Sequence, residues 1–223
     1  MSETATTTTP RAGWLRPLLI GFGIPMVYQL PFVIVAFSVP ETILPPIAWD
    51  GLHLLTMVFF LVCPVLALWD GSLKSTWHRL GGTPVASIDM ALIVLLGGLI
   101  VFVGQMLYRT VAVFIFGATF SFGFSQSAQA LIPFLVLTLV AGPIAEEVLF
   151  RGLFGAIFPD LWVFLLVSSV LDAALHIDPL NFVPLLWMWL VLGYIRRRWN
   201  SIYPTIAIHV LLNGVALLWH FTT

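Results

Sequence analysis

The sequence predicts an all-α fold, a polytopic transmembrane helical bundle of about seven membrane spans with a cytoplasmic N-terminus. Three observations lead there. The 223 residues are 60% hydrophobic and only 9% charged, where a soluble domain carries about a quarter charged residues and under half apolar ones. Apolar stretches near the ~20 residues needed to cross hydrocarbon recur along the whole chain: 17–38, 51–69, 88–107, 130–156, 161–177, 180–196 and 202–220. Repeated strand-type alternation is absent, and a helix satisfies its own backbone hydrogen bonds in lipid.

Lysine and arginine placement orients these spans, because cytoplasmic loops carry the positive excess. With the N-terminus inside, the inner loops receive Arg11, Arg16, Lys74, Arg79 and the run Arg196, Arg197 and Arg198, and the outer loops only Arg109. The short apolar segment 111–124 reads as an interfacial or re-entrant helix, or as an extension of the third span. Made an eighth span, it would move the triple arginine outside. Trp14, Trp49, Trp69, Trp77, Trp162, Trp199 and Trp219 lie near span ends, as an aromatic belt requires.

Residues 1–13, polar and threonine-rich, read as a disordered tail without a cleavable signal peptide. Residues 14–125 read as N-terminal membrane helices and 126–223 as the helices that carry chemistry, together one integral membrane domain. The net charge of −1 offers no basic footprint for nucleic acid. The single cysteine, Cys63, excludes an internal disulfide and a cysteine-based metal site. No internal repeat of the kind that marks many transporters is visible.

Most charge belongs to loops, tails or span ends: Glu3, Glu41, Asp50, Asp70, Lys74 and Arg79, with His53, His78 and His220. What remains lies within the last third: Glu146, Glu147, Arg151, Asp172, His176, His209 and Asn213. Ionisable groups at membrane depth are costly and mark function. Glu147 and Arg151 are four apart on one helical face, in the favourable order for an ion pair. Adjacent residues differ by about 100°, so Glu146 is expected to point elsewhere and remain available for chemistry. His209 shares a face with Asn213, and Asp172 with His176.

Glu146, His176, His209 and Asn213 make a hydrolytic set. A glutamate near a histidine can take a proton from water, and a second histidine with an asparagine amide can donate to a developing oxyanion. With no serine in a GxSxG context, water is the expected nucleophile. Glu146, His176 and His209 could instead hold zinc with an open position, but HExxH spacing is absent; no cofactor is the favoured reading, zinc the alternative. Asp172 is expected to orient His176 from one turn away.

These residues carry a resemblance. EEVLFR resembles the EExxxR motif of the CAAX-protease and bacteriocin-processing family, relatives of the type II CAAX prenyl endopeptidases. HVLLN, residues 209–213, is similar to its HxxxN motif, and DAALH stands where the family has FxxxH, with Asp172 at the phenylalanine position. The resemblance spans about residues 130–220. It implies a helical intramembrane protease in which Glu146 activates water while His176, His209 and Asn213 assist the base and bind the oxyanion. It also implies a multi-pass protein of a prokaryotic cell membrane, acting on a peptide or protein substrate reached from the bilayer, lipidated or not. A non-catalytic immunity or scaffold protein of the same fold, or a proton-coupled transporter, are the competing readings.

One expectation sits awkwardly with the others. At 1.5 Å per residue from the cytoplasmic span ends, His209 lies about 10 Å deep, Glu146 about 15 Å and His176 over ~20 Å. For these to meet, the span 161–177 must tilt or begin deeper, and Pro143 and Pro204 offer kinks.

Overall fold

A computed structural model of the protein describes residues 13–30, 46–117, 135–176 and 178–222. The described residues form helices and no strand. They are α1 (Leu15–Leu30), α2 (Pro46–Ala67), α3 (Leu73–Arg79), α4 (Ser87–Phe116), α5 (135–157), α6 (Leu161–Leu175), α7 (Phe182–Trp199) and α8 (Tyr203–Thr222). Most of the tail expected over 1–13 lies outside the described residues, as do 31–38 of the first expected span and 130–134 of the fourth.

Local chemistry sets the ends. Ser72 caps α3 by accepting from Ser75 N at 3.5 Å, and Asp160 caps α6 by accepting from Val163 N at 2.9 Å. Ser75 Oγ also donates to the exposed Asp70 carboxylate and, with Ser72 N, holds its carboxyl below the ordinary range. Left-handed residues stop two helices, Gly117 after α4 and Asn200 after α7. The segment expected at 111–124 is continuous with α4 as far as Phe116; 118–124 lie outside the described residues.

Among the described residues, Ser87–Ile115 is the helix long and apolar enough by itself to cross a membrane; Leu15–Leu30, Gly51–Ala67, Leu161–Leu175 and Tyr203–Trp219 are apolar but shorter. Leu95, Leu96, Leu99 and Leu107 of α4 face outward.

Two apolar clusters hold the bundle. In one, Val148, Leu149, Phe150, Leu153 and Phe154 of α5, all fully buried, pack against Phe60 of α2 and Phe164 and Leu165 of α6. Phe22 of α1 meets Phe154 edge-on at 5.2 Å. In the other, Met188, Trp189, Leu192 and Ile195 of α7 pack against Ile93 and Val101 of α4, Ala173 of α6 and Ile208 and Leu212 of α8. The polar residues of α5, α6 and α8 lie where these clusters adjoin.

The triple arginine does more than carry charge. Arg197 donates to Gly155 O at 3.4 Å and to Phe158 O, the open carbonyls after α5, while stacking over Phe164. Arg196 is buried and donates to Asn200 Oδ1 at 2.8 Å. Gly81 lies against that guanidinium, and Ile202 N donates to Gly81 O at 2.9 Å.

Gly81 has φ +87°, and a Cβ there would stand 2.4 Å from the Arg196 guanidinium carbon. Gly71 has φ +94° with nothing within 4 Å of such an atom. Alanine at either site bears a backbone cost of about 1–3 kcal/mol, but only at position 81 must Arg196 also move. Thermal unfolding in detergent should therefore show a larger loss for Gly81→Ala than for Gly71→Ala. Equal melting temperatures would remove the Arg196 contact from the explanation.

Candidate functional site

Helix α5 begins its polar stretch with a fault that its own sequence causes. Leu137–Ala141 forms a π-helical turn, in which Gly142 N bonds Leu137 O, five residues back. In that register the next carbonyl, Thr138 O, would pair with the nitrogen of Pro143, which has no hydrogen. The orphaned carbonyl is taken by another helix: Asn213 Nδ2 of α8 donates to Thr138 O at 2.9 Å. Asn213, expected as an oxyanion donor, thus commits one amide hydrogen to α5 and keeps a second. This bond also brings α8 alongside the glutamates.

A second π-helical turn, Glu147–Leu153, starts at the glutamate pair, and such turns are frequent at functional sites. Both glutamates reach one imidazole. Glu147 Oε1 lies 3.3 Å from His209 Nδ1, and Glu146 Oε2 lies 3.8 Å from His209 Nε2. Glu146 makes no ion pair with Arg151; one ring sits between the two carboxylates and faces each with a different nitrogen. The expected Glu147–Arg151 pair is present, with Nε 3.5 Å from Oε2.

Asp172 also departs from its expected contact. Its carboxylate pairs with Arg151 Nη1, while its main-chain oxygen meets His176 Nδ1 at 2.9 Å. A carbonyl can only accept, so Nδ1 of His176 carries the hydrogen and Nε2 the lone pair. His176 ends α6 as an exposed residue, whereas Glu147, Arg151 and Asp172 are buried. The Glu146 side chain, at 16% exposure against 0% for Glu147 and 4% for His209, is the accessible member of the cluster.

Trp189 of α7 is the residue that sequence reasoning missed. Fully buried, its ring lies 4.3 Å from the Arg151 guanidinium carbon, with ring centroids 4.9 Å from His209 and 5.9 Å from His176. Its signal was position: a tryptophan in mid-span, away from the belt at the helix ends. His176 meets this ring from α6 and bonds the Asp172 carbonyl, while the two glutamates meet His209. Among the described residues, no group of three or more His, Cys, Asp and Glu side chains is placed to hold a metal ion. The zinc alternative of Glu146, His176 and His209 is therefore not gathered into a ligand set in this arrangement.

Arg151 answers two carboxylates, so its loss should do more damage than loss of either partner. Arg151→Met leaves Glu147 and Asp172 without their cation, and breaking a buried pair costs about 3–5 kcal/mol. Glu147→Gln leaves Arg151 still paired with Asp172. Yield of monodisperse protein in detergent and its melting temperature should fall steeply for the first variant and modestly for the second. Equal losses would contradict Asp172 as the second anchor.

Residues 127–215, a stretch containing every polar group described above, match the family model "type II CAAX prenyl endopeptidase Rce1-like". No curated protein and no solved structure is significantly similar to the chain. Glu146, Glu147, Arg151, His176, His209 and Asn213 all fall within the matched residues. In this C-terminal segment the chain is similar to the Rce1-like CAAX protease family, whose members are usually membrane-embedded peptidases.

Proposed function

We propose that the protein is an intramembrane endopeptidase that hydrolyses a peptide bond with water activated by Glu146. The observation that carries this reading is the imidazole of His209 held between two glutamates, of which the one without an arginine, Glu146, is the accessible one. Glu146 takes a proton from water as the water oxygen attacks the scissile carbonyl carbon. The carbonyl electron pair moves to oxygen; the remaining amide hydrogen of Asn213 donates to that oxyanion, as does Nε2–H of His209 held as an imidazolium with Nδ1–H on Glu147. At 3.8 Å from Glu146, this Nε2 is beyond hydrogen-bond reach of it. Collapse of the tetrahedral species breaks the C–N bond, and the proton held by Glu146 passes to the leaving nitrogen. His176, with Nε2 as its accepting nitrogen, assists proton movement from the far side of Trp189.

The chain crosses the cell membrane of a prokaryote about seven times in this reading, with its N-terminus in the cytoplasm. Contacts between loops support that orientation. The loop of Gly81 and Thr83 bonds to Ile202 N and Ser201 Oγ, joining two of the positively charged ends. Arg109, in the last part of α4, bonds Asn181 at the start of α7 at 3.1 Å, joining two ends assigned to the opposite side. The substrate is a peptide or protein reached from the bilayer, and a prenylated CAAX-type chain end is the class that the family name carries.

Glu146→Gln should keep the fold and lose cleavage by about 10²–10⁴-fold, the usual contribution of a positioned base. Peptide cleavage in proteoliposomes is the measurement, and near-normal turnover by this variant would remove Glu146 from its role. Solute or ion flux without cleavage would favour a transporter, and neither activity a non-catalytic member. Terminal proteomics of membranes with and without the protein would identify the substrate.

No step here passes through a metal. Exhaustive chelation should leave turnover unchanged, and purified protein should hold no stoichiometric transition metal. One zinc per chain that disappears in both His176→Ala and His209→Ala would overturn the metal-free mechanism and make Glu146 the base beside a metal-bound water.

A further inference from the structure

Arg151 divides its guanidinium unequally. Nη1 holds Asp172, whereas Nε stands 3.5 Å from Glu147 Oε2 without making a hydrogen bond, and Oε2 likewise lacks one among the described residues. Glu147 turns its other oxygen to His209 Nδ1. The result is a buried chain of alternating charge type, Asp172–Arg151–Glu147–His209–Glu146, crossing from α6 to α5 to α8 and back to α5. An arginine facing a single carboxylate tends to close on it with two parallel hydrogen bonds. In this protein a second carboxylate competes for the same guanidinium.

We propose that Asp172 is a positioning residue: by holding Arg151, it keeps that guanidinium from closing on Glu147 and leaves Glu147 to fix His209 in the cleft with Glu146. The inference rests on the peptidase reading of the same site, but its physical content is a coupling between Asp172 and the His209 ring. Among the described residues, the Asp172 carboxylate is joined to His209 through Arg151 and then Glu147 or the Trp189 ring. An effect of position 172 on that ring therefore has to travel through them.

The test uses the full chain in detergent micelles, with imidazole nitrogens labelled by ¹⁵N and the His209 signals identified by their loss in His209→Gln. Asp172→Asn keeps the shape and leaves Arg151 neutralised by Glu147, so the fold should survive. The His209 Nδ1 resonance should move in Asp172→Asn and return toward the wild-type position in Asp172→Glu. Turnover should follow the same order, kcat falling about tenfold in the Asn variant with KM unchanged, as for other residues that orient a reacting group. A His209 spectrum in Asp172→Asn that overlays the wild type would overturn the proposal, as would a raised KM at unchanged kcat. The spectrum requires no substrate. If no form of the protein cleaves peptide, the peptidase reading falls and the nitrogen shifts still decide the role of Asp172.

Discussion

The guanidinium of Arg151 joins three helices in the middle of the bundle. It reaches Glu147 on its own helix and Asp172 on α6, and lies over the Trp189 ring of α7. Each carboxylate would be expensive to bury alone, and each becomes tolerable because the same cation serves both. The flat guanidinium suits this task, since it offers edges to two anions and a face to an aromatic ring. Three helices thus share one electrostatic joint, and the Val148–Phe154 cluster packs around it.

The joint leaves Glu146 outside its reach, and that omission gives the site its asymmetry. Glu147 is enclosed and engaged on both oxygens' sides, by Arg151 and by His209. Glu146, one residue earlier, faces the same imidazole with 16% of its side chain exposed and no arginine against it. Two identical neighbours in sequence are given different surroundings, one fully buried against an arginine and the other partly exposed without one.

Hydropathy made most helices legible, because a stretch of about 20 apolar residues has few structural options in lipid. The cluster was legible as a set of residue types, since charge in apolar helices is rare enough to stand out. Its internal wiring was not. The 100° step set Glu146 and Glu147 apart, but it could not show that the two nitrogens of His209 bring both onto one ring. Helical spacing put Asp172 with His176 on one face, and the two do touch, but through a backbone carbonyl; the side chain is claimed by Arg151 from another helix. Such cross-helix competition leaves no trace in residue spacing. Trp189 was hidden for the opposite reason, being one more aromatic residue in a chain with nine tryptophans.

The π-helical turn at Leu137–Ala141 has a further consequence for how this site could have arisen. A π turn behaves as a single extra residue lodged in an α-helix, and everything after it is rotated by about a quarter turn relative to an unbroken helix. The direction in which Glu146 faces is therefore tied to chain length between residues 137 and 141. Shortening that stretch by one residue would restore the α-helical register, leaving only the carbonyl opposite Pro143 unpaired, and swing the glutamate away from His209. The helix gives up local regularity to aim one side chain, and Asn213 is the splint that keeps it aimed.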